Sequence, residues 1–412
     1  MEKKSKNKIK MKFQAFKDIS DKITIFNSEF VNRNKKICKL EINGIEKDLT
    51  NEFNIKNIQK ASSESEFQNC LTPMIYKDIV TFQISLIFYD DIVDMSSMFK
   101  ECSSLISILG IENLVNNKIT NISHMFDNCT SLNFIPGISE WDTSNISDIS
   151  YLFYKCYSLE FSPDIHKWNT KNLVNISHLF YNCSSLKQLS DLSKWDTTNI
   201  IDISYAFYSC ASLNYLPDIS SWKTDKLIKI EGLFSECVEL LNIPDISKWD
   251  ISRVTSLKGL FYNCQGIKFI PDISNWKIEN VTNLTYMFYQ CYGLKVLPDI
   301  SKWNISNKAD ISNIFYGCES LKILPDISKW DIKNENNISQ MCEIKEDNIT
   351  NKENSNLSNL NNSLPILPEI SNSNDSNISN GELLNHTDEN MVFDYTYYEY
   401  QDENRNYENF YS

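Results

Sequence analysis

The amino-acid sequence predicts an α/β repeat solenoid in which each 27-residue unit supplies a short strand plus a short helix. Three observations carry this. All eight tryptophans, Trp141, Trp168, Trp195, Trp222, Trp249, Trp276, Trp303 and Trp330, recur at a spacing of 27. Nine cysteines from Cys102 to Cys318 keep the same spacing, and each has a phenylalanine three residues earlier, from Phe99 to Phe315. No insertion breaks the register between these limits. A strict period of this size marks units that cannot bury their own apolar face and therefore stack on their neighbours.

Each part of the unit has a physical reading. In the unit that begins at Asp148, the residues Ile149, Leu152, Phe153 and Cys156 fall at i, i+3, i+4 and i+7, one face of a two-turn helix. Asp or Asn precedes that run in most units (Asp148, Asn175, Asp202, Asn283, Asp310), where its side-chain oxygen suits an N-cap. The Ser-Leu-Lys segment after the cysteine is the strand candidate. Prolines at 136, 163, 217, 244, 271, 298 and 325 should end or bulge it, because proline cannot donate to a ladder. Tryptophan closes the far corner, and Leu114 holds that slot in the first unit. Strands stacked at about 4.8 Å over eight steps would make a rod about 40 Å long.

The repeats occupy residues 92–342 as about nine to ten coils. Residues 1–91 read as a small β-rich domain or cap, with strand-like runs ITIF and CKLEI and a hairpin turn at Asn43-Gly44. Residues 343–390, dominated by Asn, Ser and charged residues, are expected to form a disordered linker. Residues 391–412, MVFDYTYYEYQDENRNYENFYS, form an acidic, tyrosine-rich tail, also expected to be disordered.

Composition narrows the function classes. A net charge of -14 argues against a nucleic-acid partner, which would select a basic stripe to neutralise phosphates. The opening MEKKSKNKIKMKFQAF lacks the apolar run of a secretory signal, and no later segment is long enough to insert in a bilayer, so a cytoplasmic location is expected. In a reducing compartment the cysteines read as buried thiols, and nine equivalent rungs fit pairwise disulfides poorly.

No catalytic, cofactor or metal site emerges. His124 and His178 each lie five residues before a ladder cysteine, but Tyr151, Tyr205, Gly232, Gly259, Tyr286 and Asn313 share their slot, which reads as a variable solvent position. Two binding candidates remain. One is the outward column of the strand, Lys187, Asn214, Lys268, Lys295 and Lys322, preceded by Asn133 and Glu160. The other is an aromatic stripe of Tyr154, Tyr181, Tyr208, Tyr262, Tyr289 and Tyr316, which either binds a partner or stacks coil on coil.

The runs MFKECSSL (98–105) and LPDISKWD (324–331) resemble the BspA-like leucine-rich repeats, the DUF285 or mycoplasma-type surface protein repeat. The family's usual unit is one residue shorter, and the extra residue here is the proline before Asp-Ile. The resemblance implies a leucine-rich-repeat-like fold used for protein interaction and, in some bacterial members, surface adhesion. It carries no catalytic motif onto this chain. The expected function is thus a non-enzymatic scaffold for a protein partner, with a cell-surface adhesin as the alternative. Self-association through the solenoid ends or the tail is a further possibility.

Overall fold

A period of 27 residues becomes, in three dimensions, the step from one coil to the next. The computed structural model describes residues 7–16, 22–55, 79–114, 118–327 and 330, all within one compact unit, Met1–Leu357. The linker and tail expected at 343–412 lie outside the described residues.

The described repeats form a solenoid. Parallel bridges join the same slot of successive coils, as in Asp94 to Asn121, Asn121 to Asp148, Asp148 to Asn175 and Asn175 to Asp202. Phenylalanines stack along the axis from Phe99 to Phe315, with Phe126 and Phe153 at 5.6 Å and 2° between ring planes. Tryptophans stack along another corner, with Trp222 and Trp249 at 6.1 Å.

One element differs from the sequence expectation. The segment expected to be a helix in each coil is a run of tight turns, and the coils contain no α-helix among the described residues. Its amides split into two sets. Ile149, Tyr151, Phe153 and Lys155 donate to the next coil, at Asn175 O, Ser177 O, Leu179 O and Tyr181 O, over 2.7 to 3.1 Å. Leu152, Tyr154 and Cys156 instead donate three residues back within the coil, to Ile149, Tyr151 and Phe153. The amide of Ser150 donates to the Asp148 carboxylate at 2.8 Å, so Asp148 makes a side-chain turn and not a helix cap.

This path needs two left-handed residues per coil, Tyr151 at φ 57° and Lys155 at φ 55°, and an α-helix allows none. Burial still follows the helical pattern, since Ile149, Leu152, Phe153 and Cys156 are all buried.

The buried cysteines and tryptophans serve as donors as well as filling. From Cys129 to Cys318 each ladder thiol donates to the carbonyl of a phenylalanine in the preceding coil, as Cys183 Sγ does to Phe153 O at 3.0 Å. Each indole Nε1 donates to a carbonyl 30 residues back, as Trp222 does to Leu192 O at 3.1 Å. The described cysteines are free, and burial raises the thiol pKa from Cys102 to Cys291. Such thiols stay protonated and unreactive.

Residues before the array build a sheet that joins it. Strands β1 (Asn7–Phe16), β3 (Cys38–Ile42), β4 (Ile45–Asp48), β6 (Ile79–Phe88) and β7 (Leu105–Leu109) lie in the order β4-β3-β6-β1-β7, all antiparallel. Strands β2 (Lys22–Thr24) and β5 (Glu52–Asn54) form a separate pair, and helix α1 (Ser28–Asn34) follows β2. Asn43 and Gly44, at φ 51° and 76°, make the tight turn between β3 and β4. β7 is the strand of the first coil. It pairs with β1 on one side and, through Ser107, bridges Phe134 of the next coil on the other. The sheet therefore occupies the edge that an open array would leave unpaired.

Two outcomes test this packing. Phe207→Ala, in the buried column, should cost about 3 to 5 kcal/mol in urea unfolding, while Phe161→Ala, at an exposed slot, should cost less than about 1 kcal/mol. Iodoacetamide at pH 8 should leave Cys102 to Cys291 unmodified in the folded chain and label them all in urea. Labelling of any of them without denaturant would contradict the burial.

Candidate interaction surface

The strand of each coil is short enough to make a single bridge to its neighbour. Phe161 bridges Gln188, Tyr215 bridges Asn242, and Phe269 bridges Val296. Around the first, Lys187 N–H donates to Glu160 O at 2.8 Å and Ser162 N–H to Gln188 O at 3.0 Å. The expected outward residues Lys187, Asn214, Lys268, Lys295 and Lys322 are all exposed, as are Asn133 and Glu160.

Beside this column runs a second one that sequence reasoning missed. Phe134 (48%), Phe161 (60%), Tyr215 (61%), Phe269 (56%), Val296 (58%) and Ile323 (70%) are exposed at the very next residue, with Gln188 and Asn242 between them. A regular strand would turn one of two consecutive side chains inward. Here both face out, and the third residue, such as Ile135, Ile243 or Ile270, is the buried one. The signal was present in runs such as Ile267-Lys268-Phe269-Ile270, whose two adjacent apolar residues cannot both enter a core by alternation.

Charge is uneven along the face. Lys187 pairs with Glu160 at 2.9 Å. Lys268, Lys295 and Lys322 have no ion-pair partner among the described residues. On the following turn, aspartates such as Asp191 and Asp245 accept the amide of the serine two residues on, and hydrogen bonds from that serine hold their carboxyls below the usual range.

The tyrosine stripe forms two stacks. Tyr154, Tyr181 and Tyr208 lie 4.7 and 4.5 Å apart, and Tyr262, Tyr289 and Tyr316 lie 5.1 and 5.0 Å apart, with Ser235 between the stacks. Tyr181 and Tyr289, in the middle, are buried at 8% and 5% exposure, and the other four are half-buried. Most of the ring area therefore faces other rings.

The histidine slot is a left-handed backbone position, not a variable solvent position. His124, Tyr151, His178, Tyr205, Gly232, Gly259, Tyr286 and Asn313 all have positive φ there, which explains the recurrence of Gly and Asn. Gly232 has the further need that a Cβ would come within 2.3 Å of the Tyr205 ring lying over it. His178 is sandwiched between Tyr151 at 4.2 Å and Tyr205 at 5.0 Å, and its Nδ1 has no hydrogen-bond partner. Burial, aided by the field of His124, lowers its pKa to about 4. Among the described residues, no group of three or more His, Cys, Asp or Glu is placed to hold a metal ion. No helix among them is long and apolar enough to cross a membrane.

The sign of the His178 effect follows from linkage. The unfolded imidazole takes up its proton near pH 6.5 and the folded one only near 4, so the unfolded state binds more protons between these values. Stability contributed by neutral His178 is complete above about pH 6.5 and is lost as pH falls toward 4, by up to about 3 kcal/mol. Urea unfolding at pH 7 and pH 4.5 should therefore show a smaller acid loss in His178→Asn than in the parent, Asn being the residue already at this slot in Asn313. An identical acid loss would mean that His178 is open to solvent.

Comparison with solved structures finds other leucine-rich repeat proteins. A leucine-rich repeat protein of T. pallidum aligns at 19% identity and TM-score 0.31, covering 48% of this chain and 79% of that one. A leucine-rich cell surface protein from Faecalibacterium prausnitzii aligns at 16% and 0.25, covering 60% and 78%. A leucine-rich repeat protein from Bacteroides ovatus aligns at 19% and 0.23, covering 61% and 73%. No curated protein matches. Residues 93–191, 160–244, 185–292 and 238–359 match the family described as "Mycoplasma protein of unknown function, DUF285". The cytoplasmic expectation is corrected: it rested on the lack of an apolar leader, which fixes no location, and one solved neighbour is described as a cell surface protein. With matches that together run over more than half of its length, and a 27-residue coil carried through them in register, the chain belongs to the DUF285 family.

Proposed function

We propose that the protein is a non-catalytic protein-interaction module of the adhesin type, displayed at a cell surface and binding through the exposed face of its solenoid. The observation that carries this is the outward apolar column Phe134, Phe161, Tyr215, Phe269, Val296 and Ile323. A row of large side chains held in water by a rigid array has no role in the core, and contiguous exposed apolar surface marks interaction sites. Aromatic anchors with a polar border are the usual makings of a protein contact, and Asn133, Glu160, Lys187, Asn214, Lys268, Lys295 and Lys322 supply the border. The tyrosine stripe serves this face indirectly, by keeping successive coils in register.

The test is retention of protein on the immobilised full chain from surface extracts of cells that its source contacts. The variant F134S/F161S/Y215S/F269S changes only outward side chains and should melt within about 2 °C of the parent. It should retain little of the protein that the parent retains. Equal retention would remove the exposed face from consideration. In parallel, protease added to intact source cells should cleave the chain, and complete protection would refute surface display.

A further inference from the structure

We propose that the last three rungs of the exposed face, Lys268-Phe269, Lys295-Val296 and Lys322-Ile323, dock an extended acidic peptide that carries aromatic or aliphatic side chains. This rests on the interaction face proposed above and names its partner chemistry. The three lysines occupy one slot of consecutive coils, about 5 Å apart per step, a spacing at which like charges oppose each other. Where a carboxylate stands in the matching or an adjacent slot of the coil before, a lysine of the array can pair with it: Lys167 with Glu140 at 3.0 Å, Lys187 with Glu160 at 2.9 Å and Lys229 with Asp202 at 3.3 Å. Among the described residues no carboxylate pairs with Lys268, Lys295 or Lys322.

The nearest acidic row in the sequence is already engaged. Asp272 accepts the amide of Ser274 at 3.0 Å, and Asp299 accepts that of Ser301 at 3.1 Å and lies 3.9 Å from Lys302. In a chain of net charge -14, a row of unpaired cations is therefore a local feature with its own requirement for anions. Carboxylates from outside would relieve the repulsion and complete the row.

The apolar neighbours choose among anions. Phe269, Val296 and Ile323 are exposed by 56%, 58% and 70%. Phosphate or sulfate on a nucleic acid or glycan would satisfy the lysines and leave these side chains in water. A peptide that mixes carboxylates with apolar side chains covers both rows. The rung backbone is already paired between coils, as in Lys295 N–H to Lys268 O at 3.0 Å, so such a peptide binds by side chains and not by adding a strand. Three rungs span about 10 Å, the reach of about three residues of extended chain. Runs such as Phe393-Asp394-Tyr395 and Tyr398-Glu399-Tyr400 in the chain's own residues 391–412 have this composition and supply a probe.

The experiment is fluorescence anisotropy of a labelled peptide of residues 391–412, titrated with the full chain and with a chain ending at Leu357, the end of the compact unit. Saturable binding that weakens with salt is expected, reduced about tenfold in K268E/K295E/K322E and unchanged in K187A. Peptides with Asp and Glu changed to Asn and Gln, or with aromatics changed to Ala, should each bind more weakly. Three results would overturn the proposal: no binding to either chain, equal binding of the amidated peptide, or displacement of the peptide by heparin with tighter binding of heparin itself. If K268E/K295E/K322E still retains the surface proteins that F134S/F161S/Y215S/F269S loses, the interaction face stands and the acidic chemistry fails. If the peptide binds while the serine variant retains its proteins, the broader face fails instead.

Discussion

The array depends on where the amides of its turn run send their hydrogens. Alternate amides, those of Ile149, Tyr151, Phe153 and Lys155, have their acceptors in the next coil and none within their own. A buried amide without an acceptor costs about as much as a lost hydrogen bond. A single coil therefore cannot exist alone, and each coil is the template on which its neighbour completes itself. The same requirement explains the start of the array. The first strand, β7, lies between β1 and the bridge from Ser107 to Phe134, so the pre-repeat sheet supplies the neighbour that the first coil would otherwise lack.

Once coils must superpose to share these bonds, equal slots must hold equal shapes. Stacked phenylalanines are the direct result, their planes within 2° to 14° of parallel along the column. Cysteine suits its slot for two reasons. It is small enough to lie beneath the phenylalanine, and its thiol reaches the phenylalanine carbonyl of the coil before. That carbonyl already accepts the amide of its own coil's cysteine, as Phe153 O does from Cys156. The thiol adds a second bond, and the sulfur stays out of redox chemistry because burial keeps its proton on. Tryptophan repeats this arrangement in its own column, where Leu192 O accepts both the Trp195 amide and the Trp222 indole.

The period, the solenoid and the buried columns could be read from the sequence, because each follows from spacing alone. The path of the turn run could not. Left-handed residues at Tyr151 and Lys155 recur four apart, close enough to the helical period that both paths bury Ile149, Leu152, Phe153 and Cys156. The clue lay in which residues share those slots, Gly232, Gly259 and Asn313 at one and Asn128, Asn182, Asn263 and Gly317 at the other, all types that tolerate positive φ. The lysine column was legible because charge marks exposure. Its apolar companion was not, since an apolar residue beside a strand reads as core, and only the structure shows that Phe269 faces out while Ile270 faces in.

These constraints also say where function has room. A slot that stacks on copies of itself, such as Phe207 or Cys210, answers to the coils on either side and can tell a partner nothing. The tyrosine stripe is nearly in this position, because Tyr181 and Tyr289 give their faces to their neighbours. The side chains of the two outward columns, the Lys187–Glu160 pair apart, answer to no other coil, and they are the ones whose character changes along the array. Asn133 and Glu160 give way to Lys268, Lys295 and Lys322, while the adjacent column keeps large apolar side chains at most rungs. A surface whose shape repeats and whose charge does not has a direction. The extended partner proposed for this face would therefore be held at one position and in one orientation along an otherwise uniform array.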